Sequence, residues 1–348
     1  MKTYAGIDLH SSNNFIGVIN AKDKRLYSKR HDNRIEDVLK VLGKFKASLQ
    51  GVVIESTYNW YWLVDGLMDQ GYTVHLANPN AIQTYDGLKH TDDKWDSFWL
   101  AHMLRLGILP EGYIYPKHQR PIRDLLRRRL MFVRQRTSQI LSLQSMITRN
   151  RGLNFSGAQI KRFRDDFIDK LFSDRHLVFT AKKNITTIRF LDQIVSEIEI
   201  EVASQIKLKK EFISLLTTPG IGNILGLTIM LEVGNIGRFP KAGNYSSYSR
   251  CVESKKTSNG KKKGENNKKN GNRYLAWAYV EAANHAIRCC PKAQKFFQRK
   301  MAISLASKSE VKKKAPRGKK SGGSVSLPRP LIKEIAEFKL NKFKFPAF

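Results

Sequence analysis

Cysteine is nearly absent, with three residues in 348: Cys251, Cys289 and Cys290. The number is odd and two are adjacent, which fits neither a disulfide framework nor a zinc-binding spacing. A reducing compartment follows as the expectation, cytoplasmic or nucleoid. Long apolar runs are also missing. The longest, residues 221–233, is cut by Gly222, Asn223, Gly226 and Glu232 and is too short to cross a bilayer, so no membrane partner is expected. The first ten residues, MKTYAGIDLH, contain no apolar signal core and read as a strand. Acidic residues are scarce: 30 Asp and Glu stand against 62 Lys and Arg, a net charge of +32 and a pI near 10.1. So much like charge repels itself unless something anionic neutralises it, which makes a polyanion the leading partner. The apolar fraction of 41% is enough to build a core and excludes a disordered basic tail. The length fits two or three domains.

Residues 4–8 are short and apolar up to Asp8, residues 10–14 carry turn chemistry, and residues 15–19 are apolar again. This predicts a β-hairpin with Asp8 at the end of its first strand. A third strand is expected near 25–28, and helical apolar spacing follows over 35–49 (Ile35, Val38, Leu39, Leu42). Residues 52–54 are β-branched and end in Glu55. A helix over 58–67 and a strand over 73–76 complete the series. Three strands, a helix, a strand, a helix and a strand is the order of a ribonuclease-H-like α/β fold.

The run His90-Thr91-Asp92-Asp93-Lys94-Trp95-Asp96-Ser97 leads into a helix that Thr91 or Asp92 could cap. Asp93 and Asp96 are three residues apart and share a helix face. Asp8 and Glu55 then end adjacent strands, while Asp93 and Asp96 sit on a helix crossing those ends. One Asp at a strand end is ordinarily a turn residue; the four together are more specific, because each falls where a metal cup needs it. Such a cluster repels itself without cations, and hard oxygen ligands at this density suit Mg²⁺. One or two ions are expected, since a pair ~4 Å apart clamps both oxygens of an in-line phosphoryl displacement. Asp92 could replace Asp93, but it is out of phase with Asp96, so Asp93 is preferred. His10 and His90 read as turn or surface residues.

Residues 120–151 form a long basic helical stretch. Leu126, Leu130, Val133, Ile140 and Ile147 follow a 4-3 stripe, and Ile188, Leu191, Val195, Ile198 and Val202 form a second. Two such stripes point to a helical hairpin, an intermolecular coiled coil, or ordinary core-facing helices. Arg127, Arg128, Arg129, Arg134 and Arg136 form a charge block, read in so basic a chain as a phosphate-contacting face. A short additional helix is expected over 154–174. Residues 212–232 read as helix, Pro219-Gly220-Ile221-Gly222 turn, helix, an element resembling a helix-hairpin-helix. Gly220 and Gly222 would allow close backbone approach, and the N–H groups of the next helix could hold a phosphate. The segment 254–273 carries Lys255, Lys256, Lys261, Lys262, Lys263, Lys268, Lys269 and Arg273 against Glu265 alone, and an apolar helix follows over 274–286. It reads as a basic, glycine-punctuated loop. Its hydroxyls (Ser254, Thr257 and Ser258) lie among ammonium groups that lower the cost of a developing alkoxide. Residue chemistry alone does not choose between them.

Asp8…Glu55…Asp93-x-x-Asp96, followed by Pro219-Gly-Ile-Gly222, Arg238-Phe239, Ser258-Asn-Gly260, Lys263-Gly264 and Gly271-Asn272-Arg273-Tyr274-Leu275, resembles the DEDD transposases of bacterial insertion sequences, the insertion-sequence one-hundred-and-ten family. The resemblance covers residues 1 to about 300. It implies a RuvC-like DEDD domain (1–118), a basic helical or coiled-coil region (119–210) and a mainly helical transposase domain with a serine (211–300); beyond them lies a basic tail (301–348), which its Pro, Gly and Ser content from about residue 308 marks as flexible. It implies that Asp8, Glu55, Asp93 and Asp96 bind Mg²⁺ and that Ser258 is the nucleophile, forming a phosphoserine link to DNA. Arg127, Arg128, Gly220, Gly222, Lys261, Lys262, Lys263, Lys268, Lys269 and Arg273 become the nucleic-acid contacts. Donor and target duplex DNA, a structured guide RNA encoded by the element and a homo-oligomer (dimer or tetramer) become the partners. The setting is then the bacterial cytoplasm, with the nucleoid. The departures are Ser97, where the family commonly has Ala, and a segment 264–271 that is one residue longer than the common spacing. The alternative is a structure-specific nuclease resembling the RuvC Holliday-junction resolvase, using the carboxylates and water alone. A third reading is a non-enzymatic nucleic-acid scaffold.

Overall fold

A computed structural model describes residues 1–82, 92–205, 210–252, 256–264 and 270–313. His90, Thr91, Ser254, Lys255, Lys268, Lys269 and residues 314–348 lie outside the described residues. The chain forms two compact units, Met1–Lys117 and His118–Phe348.

The first unit is built on β1 (Thr3–Leu9), β2 (Asn13–Asn20), β3 (Arg25–Asp32), α1 (Ile35–Gly43), β4 (Leu49–Glu55), α2 (Tyr61–Asp69), β5 (Val74–Ala77) and α3 (Asp93–Leu106). The sheet order is β3-β2-β1-β4-β5; β1 and β2 are antiparallel, and β4 lies parallel to β1 and to β5. This is the RNase H-like fold expected from the element order. Successive strand residues face opposite sides. Ala5, Ile7, Leu9, Ile16, Val18, Val52 and Ile54 therefore form one core with Val38 and Leu42 of α1 and Leu63, Val64 and Leu67 of α2. The alternate residues face α3, whose Leu100 and Met103 pack with Val53 and Ala77, and whose Phe98 and Ala101 pack with Ile19. The α1 helix stops at Gly43, earlier than its apolar spacing predicts. Turns over 44–48 then bring the chain into β4 at Leu49.

The α3 helix lies close because Gly6 and Gly17, paired across β1 and β2, present no side chain to it. A Cβ on Gly6 would stand 2.0 Å from the Ser97 carbonyl oxygen, and one on Gly17 would stand 2.7 Å from Ser97 Oγ. Ser97 is fully buried, and its hydroxyl donates to the Lys94 carbonyl at 2.9 Å. The hydroxyl that departs from the family pattern is thus satisfied within its own helix.

The second unit begins with α4 (Arg120–Arg151), which has Pro121 in its first turn and left-handed Gly152 at its end. Then come α5 (Gly157–Ile160), α6 (Asp165–Leu171) and α7 (Arg175–Gln205), so the short helix expected over 154–174 is two. The α4 and α7 helices pack antiparallel as a helical hairpin: Arg129 meets Glu199, Arg136 meets Asp192, and Asn184 donates to Gln139. Of the predicted stripes, Leu126, Leu130, Ile140, Ile147, Ile188, Leu191, Val195 and Val202 are buried.

The chain continues through α8 (Lys210–Leu216), α9 (Asn223–Val233), α10 (Ala242–Tyr248), β6 (Lys256–Ser258), β7 (Lys261–Gly264), α11 (Arg273–Cys289) and α12 (Pro291–Lys313). Two expectations are corrected here. The segment around Ser258 is a β-hairpin rather than a loop: Asn259 and Gly260 turn with φ of 50° and 70°, the doubly left-handed turn that joins tightly paired strands. The chain expected to be flexible from about residue 308 is helical as far as Lys313, the end of α12. Among the described residues no helix is long and apolar enough to cross a membrane.

Candidate active site

The face alternation that buries Ile7 and Ile54 against α1 and α2 turns Asp8 and Glu55 to the α3 side. Both lie one residue beyond the paired positions Ile7 and Ile54 on adjacent parallel strands. The N-terminus of α3 supplies the other two carboxylates. Asp92 precedes the helix in extended conformation, and its Oδ1 accepts from the Trp95 amide at 2.7 Å. Asp92 is therefore the cap, and Asp93 and Asp96 are the pair left within the first turn.

The electrostatics show four carboxylates that feel one another. Asp8 is 3% exposed, and burial pushes its carboxyl up to about 7 against an ordinary 3.8. His10 opposes that rise, while Glu55 and Asp96 add to it. Asp96 is raised by burial, then by Glu55 and Asp93. Burial works against the Asp93 charge too, but His10 and Arg30 outweigh it and its carboxyl is lowered. Arg30 Nη2 stands 2.5 Å from Asp93 Oδ2. Burial first, and the neighbouring carboxylates second, hold these two acids above their ordinary range, and a cation among them would relieve both costs.

His10 belongs to this cluster, where the sequence placed it in a turn. Its Nε2 lies 3.1 Å from Asp8 Oδ2 and 3.3 Å from Asp93 Oδ1, and neither contact is aligned as a hydrogen bond. Candidate ligand atoms of Asp8, His10 and Asp93 all fall within 4.8 Å of one another. The turn is held from a distance, since Asn33 and Asn59 both donate to the His10 carbonyl at 3.0 Å. Nothing in the local spacing of the sequence signals those two asparagines. The donor set, carboxylate oxygens with one imidazole, fits a divalent cation.

In the second unit Ser258 is exposed at the tip of β6, and Lys261 and Lys263 are exposed on β7. The side chain of Lys262 lies outside the described set. Arg273 opens α11, is exposed, and stacks on Tyr274 with its guanidinium carbon 5.0 Å from the ring centre. The reading of Arg127 as a surface phosphate contact is corrected. Its Nε donates to Glu232 Oε1 at 2.5 Å and its Nη2 to Oε2 at 2.8 Å, and the guanidinium lies over Tyr274. Arg129 and Arg136 are likewise paired, with Glu199 and Asp192. Arg128 is exposed. Gly220 also has a different cause from the one expected. At φ of 89°, a Cβ there would stand 2.1 Å from the Ala282 carbonyl, so its close approach is to α11. Gly222 precedes α9, and a Cβ there would meet nothing within 4 Å.

The fold defines a protein of the RNase H-like class, with a carboxylate cluster on one side of its sheet. Residues 5–150 match a family model described as a transposase, of the DEDD type of IS110 elements, and residues 214–298 match one described as the transposase IS116/IS110/IS902 family. The chain belongs to the IS110 family of DEDD transposases. Among solved structures, T. thermophilus RuvC in complex with Holliday junction substrate is similar at 15% identity and a TM-score of 0.25, covering 32% of this chain and 100% of that chain. A search of curated proteins gave no match.

Proposed function

We propose that the protein is an RNA-guided DNA transposase that cleaves and exchanges strands through a serine–DNA phosphodiester, with Mg²⁺ held by Asp8, Glu55, Asp93 and Asp96. The observation that carries the reading is the gathering of carboxylates on the α3 side of the sheet: buried Asp8 beside Glu55 at the ends of adjacent strands, with Asp93 and Asp96 in the first turn of α3. A divalent cation at these oxygens would supply charge neutralisation at the reacting phosphate. Arg30 and His10 hold Asp93 ionised and oriented toward the cup.

Ser258 supports the covalent half of the reading by its exposure on a tight hairpin beside Lys261 and Lys263. Its Oγ would lose a proton and attack phosphorus, one P–O ester bond would form as another breaks, and the leaving strand oxygen would take a proton. Bond energy is conserved in the phosphoserine, so rejoining needs no external energy. The contacts to duplex DNA and to guide RNA would come from Arg128, Gly222, Lys261, Lys262, Lys263, Lys268, Lys269 and Arg273. A homodimer or tetramer working on nucleoid DNA completes the proposal.

The deciding experiment uses the chain purified with its copurifying RNA and a labelled duplex spanning one end of its element. Ser258→Ala is expected to abolish the covalent protein–DNA species and all strand exchange. Undiminished cleavage by Ser258→Ala would instead establish the carboxylate-and-water nuclease. Asp8→Ala is expected to abolish both activities; a scaffold protein would keep its whole function.

A further inference from the structure

The Gly271-Asn272-Arg273 motif stands where the chain leaves the serine hairpin and enters α11, and its middle residue is almost fully enclosed at 8% exposure. Asn272 is bonded in three directions. Its Oδ1 accepts from the Tyr274 and Leu275 amides at 2.8 and 3.1 Å, which caps α11. Its backbone amide donates to the Tyr248 carbonyl at 2.6 Å. Its Nδ2 donates to Glu232 Oε2 at 2.7 Å.

The second of these bonds closes a neck. Arg250 Nε donates to the Gly271 carbonyl at 3.1 Å, so the chain entering the hairpin segment and the chain leaving it are tied at two adjacent points. The fit requires glycine, since Gly271 has φ of 89° and a Cβ there would stand 2.4 Å from the Tyr248 carbonyl oxygen. The β6–β7 hairpin that carries Ser258 therefore lies in sequence between two points of the chain that are pinned to each other.

The third bond ties the neck to the helical frame. Glu232, 2% exposed in the last turns of α9, accepts from Arg123 Nε at 3.1 Å and from two nitrogens of Arg127, both on α4. Burial disfavours the Glu232 charge, but the Arg127 hydrogen bonds and the two guanidiniums outweigh it and its carboxyl is lowered. A carboxylate so fully bonded is rigid, because each oxygen has its partners. It gives Asn272 a fixed point on the two helices that carry the unit.

We propose that Asn272, held by Glu232, is a positioning residue that fixes the neck of the Ser258 hairpin for the serine chemistry, an inference that rests on the nucleophile reading above. The amide of Asn272 is then selected for its two ends: the oxygen caps α11 while the nitrogen reaches Glu232. A serine at this position keeps the cap but is too short to hold Glu232.

The test compares full-length wild type with Asn272→Ser and Glu232→Gln, each with its copurified RNA and the labelled element-end duplex. Asn272→Ser should keep the thermal midpoint within about 2 °C and DNA affinity within about twofold. Deuterium uptake at short times should rise in peptides covering 246–273, and adduct formation in single turnover should slow at least tenfold. Glu232→Gln, whose amide oxygen still accepts from Asn272, should lower the midpoint through Arg123 and Arg127 while affecting uptake less than Asn272→Ser does. Unchanged uptake in Asn272→Ser would overturn the inference, as would faster uptake with an undiminished adduct rate. A wild type that makes no covalent adduct would sink the nucleophile reading alone, because uptake still decides whether Asn272 holds the neck.

Discussion

Asp8 is a residue whose own stability contribution runs opposite to its function. Its folded value of about 7 lies above its ordinary 3.8, so the folded chain binds the proton more tightly than the unfolded chain. The stability it supplies is complete below about pH 4 and is lost as pH rises through 7. Asp8→Asn should therefore be more stable than wild type at pH 8 without divalent ions, by a few kcal/mol in the first unit's unfolding, and the two should converge near pH 4 in thermal melts. Added Mg²⁺ should stabilise wild type and leave Asp8→Asn nearly unmoved; equal stabilisation of both would remove the metal from this site. Gly6 carries the packing side of the same geometry. Gly6→Ala drives a methyl to 2.0 Å from the Ser97 carbonyl and must lift α3, which should cost about 2 kcal/mol or more. Gly43→Ala, whose methyl would meet nothing, should be neutral or stabilising by up to about 1 kcal/mol. Chemical denaturation of the two variants checks the contrast.

At the scale of elements, the β6–β7 hairpin depends on two consecutive positive φ values at Asn259 and Gly260. Gly260→Val places a β-branched residue in that region at a cost of about 1–3 kcal/mol, borne by a small exposed hairpin. The expected result is a melting temperature within about 1 °C of wild type with adduct formation at least tenfold lower, measured on the same labelled duplex. The Asn-Gly pair that makes this turn was visible in the sequence, but the lysines around it read as a loop because charge density says nothing about strand pairing. Asp8, Glu55, Asp93 and Asp96 were legible for the opposite reason: strand alternation and helical phase are local, so the sequence pattern carries their direction. Asp92 became the cap by the same local logic. His10 was not legible, because its place is set by Asn33 and Asn59, 23 and 49 residues away. Arg127 was misread because its partner Glu232 lies 105 residues further on, and a run of arginines looks the same whether it faces solvent or a buried carboxylate. Gly220 looked like a phosphate turn because the sequence does not show that Ala282 and Ala286 of α11 fill the space beside it.

For the whole molecule, the count of 62 Lys and Arg overstates the cations available to a polyanion. On α4 Arg123 and Arg127 share the single carboxylate of Glu232, Arg129 is paired with Glu199 and Arg136 with Asp192. Arg128 and Arg134 are exposed, as are Lys261 and Lys263 on the hairpin. Counterion release makes the distinction measurable: each cation that meets a phosphate adds about one to the slope of log affinity against log salt. Arg128→Ala and Lys263→Ala should each lower that slope by about 1 and weaken binding to unrelated duplexes alike, with melting unchanged. Arg127→Ala should do the reverse. Removing one partner of a buried ion pair costs up to about 3–5 kcal/mol, and here Arg123 remains on Glu232, so the loss should fall at the lower end. That is several degrees of melting temperature for a unit of this size, with the salt slope intact. A slope that falls by a full contact in Arg127→Ala, with no loss of stability, would mean that Glu232 releases this arginine to nucleic acid. The internal pairing of α4 would then be a resting state of the binding surface rather than part of the fold's core.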